Sequence, residues 1–186
     1  MTGRIDLHTH STASDGSFTP AELVQEARRL GLKGLALTDH DTAGGNPEAM
    51  AEAARQGIRF VPGIEISCDY QDKAIHILGY WIDFRNSTLN ETLKQVIDYR
   101  NRRNLILTER LRELGISMIY EEVAQVAGNE VVGRPHFAAV LVKKRVVSNF
   151  REAFDKYLGK GGLAYIPKRR LTAAEGLQLI KTVEHL

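Results

Sequence analysis

Arg4-Ile5-Asp6-Leu7-His8-Thr9-His10-Ser11-Thr12-Ala13-Ser14-Asp15-Gly16 is the stretch on which the reading of this chain turns, and Thr38-Asp39-His40-Asp41 answers it. In an extended strand, residues i and i+2 share a face, about 6.6–7 Å apart at Cα. His8 and His10 therefore converge on one point just past the end of a strand. Asp15, beyond a short polar loop that ends in Gly16, can turn back toward the same place.

Working outward, residues 3–8 read as a short buried strand. Thr19-Pro20-Ala21-Glu22 is a helix start: an N-cap threonine, a proline at the first helical position and a capping-box glutamate. That helix runs through Leu23, Ala27 and Leu30 to Gly31. Residues 32–38 form an apolar run suited to a strand buried on both faces, and it ends in Asp39-His40. Asn46-Pro47-Glu48 opens a second helix, closed near Gly57. Residues 58–67 are a third strand, which Pro62-Gly63 is expected to break or bend just before Glu65. Lys73 to Trp81 is a fourth, alternating strand that carries His76.

Strand, helix, strand, helix, strand predicts right-handed crossovers and a parallel α/β sheet or barrel. Sites in such folds lie at the carboxyl ends of the strands. His8, His10, His40 and Glu65 fall at or near those ends. Four strands can be counted, fewer than a closed barrel needs. After Asp83 the spacing turns helical, with helices at 88–114, 119–127, 134–146, 149–158 and 172–184. Asn149 with Glu152 and Thr172 with Glu175 read as caps. Gly159-Lys160-Gly161-Gly162 reads as a mobile linker.

The 186 residues suit one domain, or one with an insertion. The formal charge, 25 − 23 = +2, does not advertise nucleic-acid binding and favours small or short substrates over long duplexes. Cys68 is the only cysteine, which excludes an intramolecular disulfide and a multi-cysteine zinc site and suits a reducing cytoplasm. No run reaches membrane-spanning length, the N-terminus lacks the apolar run of a signal peptide, and nothing calls for an obligate protein partner.

Four of the six histidines, His8, His10, His40 and His76, sit at strand ends or in the fourth strand, a placement that points to a metal cluster. A mixed imidazole and carboxylate set without thiolates suits zinc, manganese or iron; magnesium is less suited to imidazoles. A carboxylate such as Glu65 can bridge two ions. Ions about 3.5–4 Å apart activate a shared water and clamp a phosphoryl group, so phosphate-ester hydrolysis is the natural reaction. Arg134 and His136 read as substrate-side groups, the arginine gripping phosphate bidentately, or as a helix-start arginine with a capping histidine. Lys168, within Lys168-Arg169-Arg170, reads as a phosphate or RNA contact or as part of a solvated charge run. Asp39 reads as a residue that orients a ligand or partners a metal-bound histidine. Tyr165 suits either base stacking or a core.

Taken together, His8-Thr9-His10 with Ser14-Asp15-Gly16, Leu37-Thr38-Asp39-His40-Asp41-Thr42, Pro62-Gly63-Ile64-Glu65 and His76-Ile77-Leu78-Gly79-Tyr80 resemble the PHP (polymerase and histidinol phosphatase) family. The resemblance implies a distorted (β/α)7 barrel with a trinuclear metal centre. Asp41-Thr42, Gly133-Arg134-Pro135-His136 and Gly161-Gly162-Leu163-Ala164-Tyr165 look closest to a small bacterial phosphoesterase branch. That branch removes phosphate from nucleoside 3′,5′-bisphosphates or trims short RNA from its 5′ end, so the implied partner is a small nucleotide or short oligonucleotide. The implied mechanism is attack by a metal-bridging hydroxide. By this resemblance His8, His10 and Glu65 hold one divalent ion, Glu65 and His76 a second, Asp15 and His40 a third. Residues 1–84 then form the N-terminal part of the barrel, 85–171 an all-helical insertion, and 172–186 a helix returning to the rest of the barrel. Further family ligands are expected beyond Leu186, so the chain reads as a member without its last three strands and with an exposed sheet edge where they would pair. A histidinol-phosphate phosphatase and a non-catalytic metal-binding module are the alternative readings.

Overall fold

The computed structural model describes residues 3–71, 73–128, 131–167 and 169–184. Local capping chemistry sets the first helix. The Thr19 hydroxyl accepts from the Glu22 amide at 3.2 Å, and the Glu22 carboxylate accepts from the Thr19 amide at 2.9 Å. This reciprocal pair satisfies two of the amides that a helix start leaves open. The elements run β1 (Ile5–Thr9), α1 (Pro20–Arg29), β2 (Gly34–Leu37), α2 (Asn46–Gln56), β3 (Arg59–Tyr70), β4 (Lys73–Tyr80), α3 (Ser87–Glu113), α4 (Tyr120–Ala127), α5 (Arg134–Lys143), α6 (Phe150–Ala153), β5 (Leu171–Thr172) and α7 (Ala173–Val183). A π-helical turn, Phe154–Leu158, continues α6.

The fold is mixed α/β, a largely parallel half-barrel. The strand order is β1-β2-β3-β4; β1, β2 and β3 run parallel, and β4 returns antiparallel to β3. Three features of the sheet differ from the sequence reading. A fifth strand, β5, pairs in parallel with the far end of β3 through Cys68 and Asp69. It is two residues long, too short to show periodicity. β1 is exposed along most of its length rather than buried, because it pairs with β2 alone among the described residues. And β3 runs unbroken through Pro62-Gly63. What changes there is its partner: residues 59–62 pair with β2, and residues 63–70 with β4. Proline, lacking an amide, is tolerated at the point where one ladder hands over to the next.

Two compact units result: Met1–Val96 with Arg170–Leu186, and Ile97–Arg169. In the first, α1 and α2 cover one face of the sheet through Val24, Ala27, Leu35, Leu37, Ala49 and Ala53. Its second core gathers Ile64, Ile66 and Cys68 of β3 with Leu89, Leu93, Leu179, Ile180 and Val183. The second unit is helical and packs Leu107, Leu111, Met118, Val123, Phe137, Leu141 and Leu158. Within it the glycine-rich linker is a run of hydrogen-bonded turns rather than a loose tether: Gly162 donates to Gly159, Leu163 to Lys156, Ala164 to Tyr157 and Tyr165 to Gly162. No helix among the described residues is long and apolar enough to cross a membrane.

Helix α7 approaches β3 at Gly176, where an added Cβ would lie 2.4 Å from Cys68 Sγ. The buried sulfur leaves no room for a methyl group. Gly176→Ala is expected to destabilise the protein by about 1–3 kcal/mol through overpacking, despite alanine's better helix propensity. Cys68→Ala in the same chain should restore part of that loss. Urea unfolding of the two single variants and the double variant measures the coupling.

Candidate metal centre

The segment that follows β2 builds the site. Thr38 donates its amide to Thr9 O at 2.9 Å, Glu65 donates to Asp39 O at 3.1 Å, and Asp41 donates to Glu65 O at 2.9 Å. His40 thereby bridges to Glu65 in parallel register. Asp41 turns the chain away in the left-handed region, φ 54°, a conformation that aspartate adopts more readily than most residues. Its carboxylate accepts from the Ser67 amide at 2.8 Å, tying the turn to β3 two residues beyond Glu65. On the other side, β1 slips its register against β2 between Asp6 and Thr9, a bulge that re-aims the strand around His8.

Asn46 holds β3 in place. Its side-chain amide donates to Gly63 O at 3.0 Å and to Ala43 O at 3.2 Å, and its oxygen accepts from Gly63 N at 3.1 Å. A fully buried side chain thus pairs with the Gly63 peptide as a strand would. Gly63 is itself dictated by space: a Cβ there would lie 2.9 Å from Leu37 O and Thr38 Cγ2.

Four imidazoles meet at the Glu65 carboxylate, which is 4 % exposed. His8 Nε2 lies 2.8 Å and His10 Nε2 3.2 Å from Oε2, His76 Nδ1 2.7 Å from Oε1, and His40 Nε2 3.8 Å from Oε2. Asp15 stands opposite, 3.3 Å from His10 Nδ1 and 3.7 Å from His40 Nε2. The rings of His10 and His40 stack at 4.7 Å between centroids, and His76 meets His40 edge-on at 4.7 Å. Burial alone would raise the Glu65 carboxyl; the His8 hydrogen bond and the His40 and His76 imidazoles outweigh it and hold the carboxyl below its usual range. Burial also pushes His40 below the usual histidine value, against the pull of Glu65 and Asp15, which favours a neutral ring.

These donors form three overlapping triads, His8/His10/Glu65, His10/Asp15/His40 and His40/Glu65/His76, with the ligand atoms of each within 4.8 Å of one another. Nδ1 of His10 and of His40 are buried and make no hydrogen bond. Imidazole nitrogens beside carboxylates suit a divalent transition ion, and the buried nitrogens without hydrogen bonds fit that use.

Arg134 and His136, the other described candidates, lie in the helical unit and make contacts within it. Arg134 donates to Leu158 O at 3.1 Å and Ile166 O at 3.3 Å, and its guanidinium lies 5.1 Å from the centroid of the Tyr165 ring. His136 Nδ1 accepts from the Gly133 amide at 3.0 Å, capping α5. Lys168 lies outside the described residues. Sequence reasoning passed over Asn46, Asp41 as a clamp on β3, Ser11, Ser14 and Tyr80. Tyr80 donates its hydroxyl to Leu7 O at 2.9 Å, joining β4 to β1 next to His8. Its place at the end of the His76–Tyr80 stretch was the one available signal.

A match to the PHP domain model spans residues 6–159, and the chain belongs to that family. It is 37% identical over 177 residues to the 5′-3′ exoribonuclease Rnm of Escherichia coli K12, covering 94% of this chain and 60% of that protein. It is 39% identical over 163 residues to the 3′,5′-nucleoside bisphosphate phosphatase of Chromobacterium violaceum, covering 87% of this chain and 57% of that one. A solved amidohydrolase from Chromobacterium violaceum, with bound sulfate and no metal, superposes with a TM-score of 0.73 at 35% identity, covering 96% of this chain and 63% of that structure. The chain thus spans about 60% of the length of the curated relatives it matches.

Replacing Asn46 by alanine should leave the Gly63 peptide unpaired in a buried place and cost about 1–3 kcal/mol per unsatisfied group. Chemical denaturation measures this loss, and Asn46→Asp, which sets a carboxylate against two carbonyl oxygens, should be no better.

Proposed function

We propose that this chain carries part of the active site of a metal-dependent phosphoesterase that acts on nucleoside 3′,5′-bisphosphates or on the 5′ end of short RNA. The observation that carries the reading is the Glu65 carboxylate, buried and contacted by four imidazoles, with Asp15 closing the far side. Glu65 is shared by two of the three donor triads and is suited to bridge two ions. His8 and His10 with Glu65 would hold one ion, His76 with Glu65 a second, and Asp15 with His40 a third. Bound divalent ions, for which manganese, zinc or iron suits these donors, would supply Lewis acidity toward a phosphate and toward an attacking water.

The chain's own residues fix where that chemistry takes place. Glu65 holds the His8 ring by a hydrogen bond and the His76 ring by a 2.7 Å contact, and so fixes the orientation of both rings beside it. Burial pushes His40 below the usual histidine value, which favours the ring form that can donate a lone pair. Asp15, about half exposed, faces the open side, from which an anionic substrate approaches. The two substrate classes come from the relatives' activities, and the buried lone thiol is in keeping with a cytoplasmic enzyme.

Elemental analysis of the protein equilibrated with manganese should find bound ions, and Glu65→Gln should lose at least one. Phosphate release from a nucleoside 3′,5′-bisphosphate should fall about 100-fold or more in the same variant. Full metal content in Glu65→Gln would overturn the assignment. Turnover of histidinol phosphate in preference to nucleotides would overturn the substrate class alone.

A further inference from the structure

Asp39 belongs to none of the three donor triads, yet it is fully buried and accepts three hydrogen bonds. Its oxygens accept from the Ser11 amide, the Ser11 hydroxyl and the Ser14 hydroxyl, each at 2.7 Å. Ser11 and Ser14 are buried with it. The loop they belong to is closed on itself, with Ser14 N and Gly16 N both donating to Ser11 O. The Ser14 hydroxyl that donates to Asp39 also lies 3.3 Å from Asp15 Oδ1. One hydroxyl thus separates the buried carboxylate from the exposed one that faces His10 and His40. Through its backbone carbonyl, Asp39 is also bonded to Glu65 N.

We infer that Asp39 is a positioning residue for the ion position formed by Asp15 and His40, acting through the Ser11–Asp15 loop that it clasps. The inference rests on the metal reading above. Asp15 lies on the loop between β1 and α1, six residues past the end of β1, and no strand pairing includes it. A site on a loop binds tightly only if its supporting groups are themselves locked. Three charge-assisted hydrogen bonds to a buried carboxylate provide that lock and also offset the cost of burying Asp39. His8, Glu65 and His76 lie on strands and do not depend on the clasp.

The test is manganese binding, by isothermal titration and elemental analysis, to the protein and its D39A, D39N, S14A, D15A and D15A/D39A variants. D39A should weaken one ion position about 10–100-fold and leave the rest unchanged. That position should be the one lost in D15A, so the double variant should match D15A alone. D39N keeps the shape, with an amide that Ser11 Oγ can accept from, and should recover most of the binding. S14A, which leaves Asp39 in place, should show a smaller loss at the same position and carries the test should D39A fail to fold. Manganese binding in D39A and S14A equal to wild type would overturn the inference while leaving the metal reading intact. So would a uniform loss at every position that tracks a fall in melting temperature, or D39N binding as weakly as D39A. A wild-type protein that takes up no manganese would overturn both.

Discussion

A carboxylate buried among four imidazoles constrains everything around it. Glu65 is removed from water, and desolvation penalises its charge. The rings crowd one another, and burial pushes His40 below the usual histidine value. The cluster is thus a set of imidazole nitrogens and carboxylate oxygens turned toward one another. A cation satisfies such a set better than any rearrangement of its own protons. The fold has to hold it open against the tendency of these groups to find other partners.

The half-barrel does this with backbone pairing at two levels. β3 passes without interruption from its pairing with β2 to its pairing with β4, and Glu65 lies just after that handover. The Asn46 side chain occupies the place where a ladder bond would otherwise be missing. On either side of His40, Asp39 and Asp41 face opposite ways, one carboxylate gripping the loop after β1 and the other gripping β3. Tyr80 then draws β4 back toward β1. The two strands lie at opposite ends of the four-strand order, so the sheet between them must curl.

What the sequence revealed was what is local. The Thr19 cap, the left-handed Gly57 closure of α2, and the caps at Asn149 and Thr172 depend on residues within four positions of one another. The spacing of His8 and His10 and the placement of Asp39-His40 at a strand end are likewise visible in a one-dimensional pattern. The features it did not reveal span long separations. Asn46 meets Gly63 seventeen residues on, and Tyr80 meets Leu7 seventy-three residues back. Pro62 reads as a break because local rules cannot show that its missing amide falls between two partners. Ser11 and Ser14 look like ordinary loop serines until the buried Asp39 is placed beneath them. In the helical unit, Arg134 reads as a phosphate grip or a helix-start arginine, while the structure directs two of its donors to backbone carbonyls more than twenty residues away.

The close packing of Gly176 on Cys68 has a consequence outside catalysis. The chain's single thiol is fully buried, and burial together with the nearby Asp41 and Asp69 pushes it up to about 11. Thiolate is the form that reacts, so in the folded state the sulfur is doubly protected, by access and by ionisation. Alkylation requires an opening that exposes this sulfur, whose cover includes α7 at Gly176. The rate at which a thiol reagent consumes Cys68 is therefore a built-in clock for opening of the half-barrel, with no competing thiol in these 186 residues.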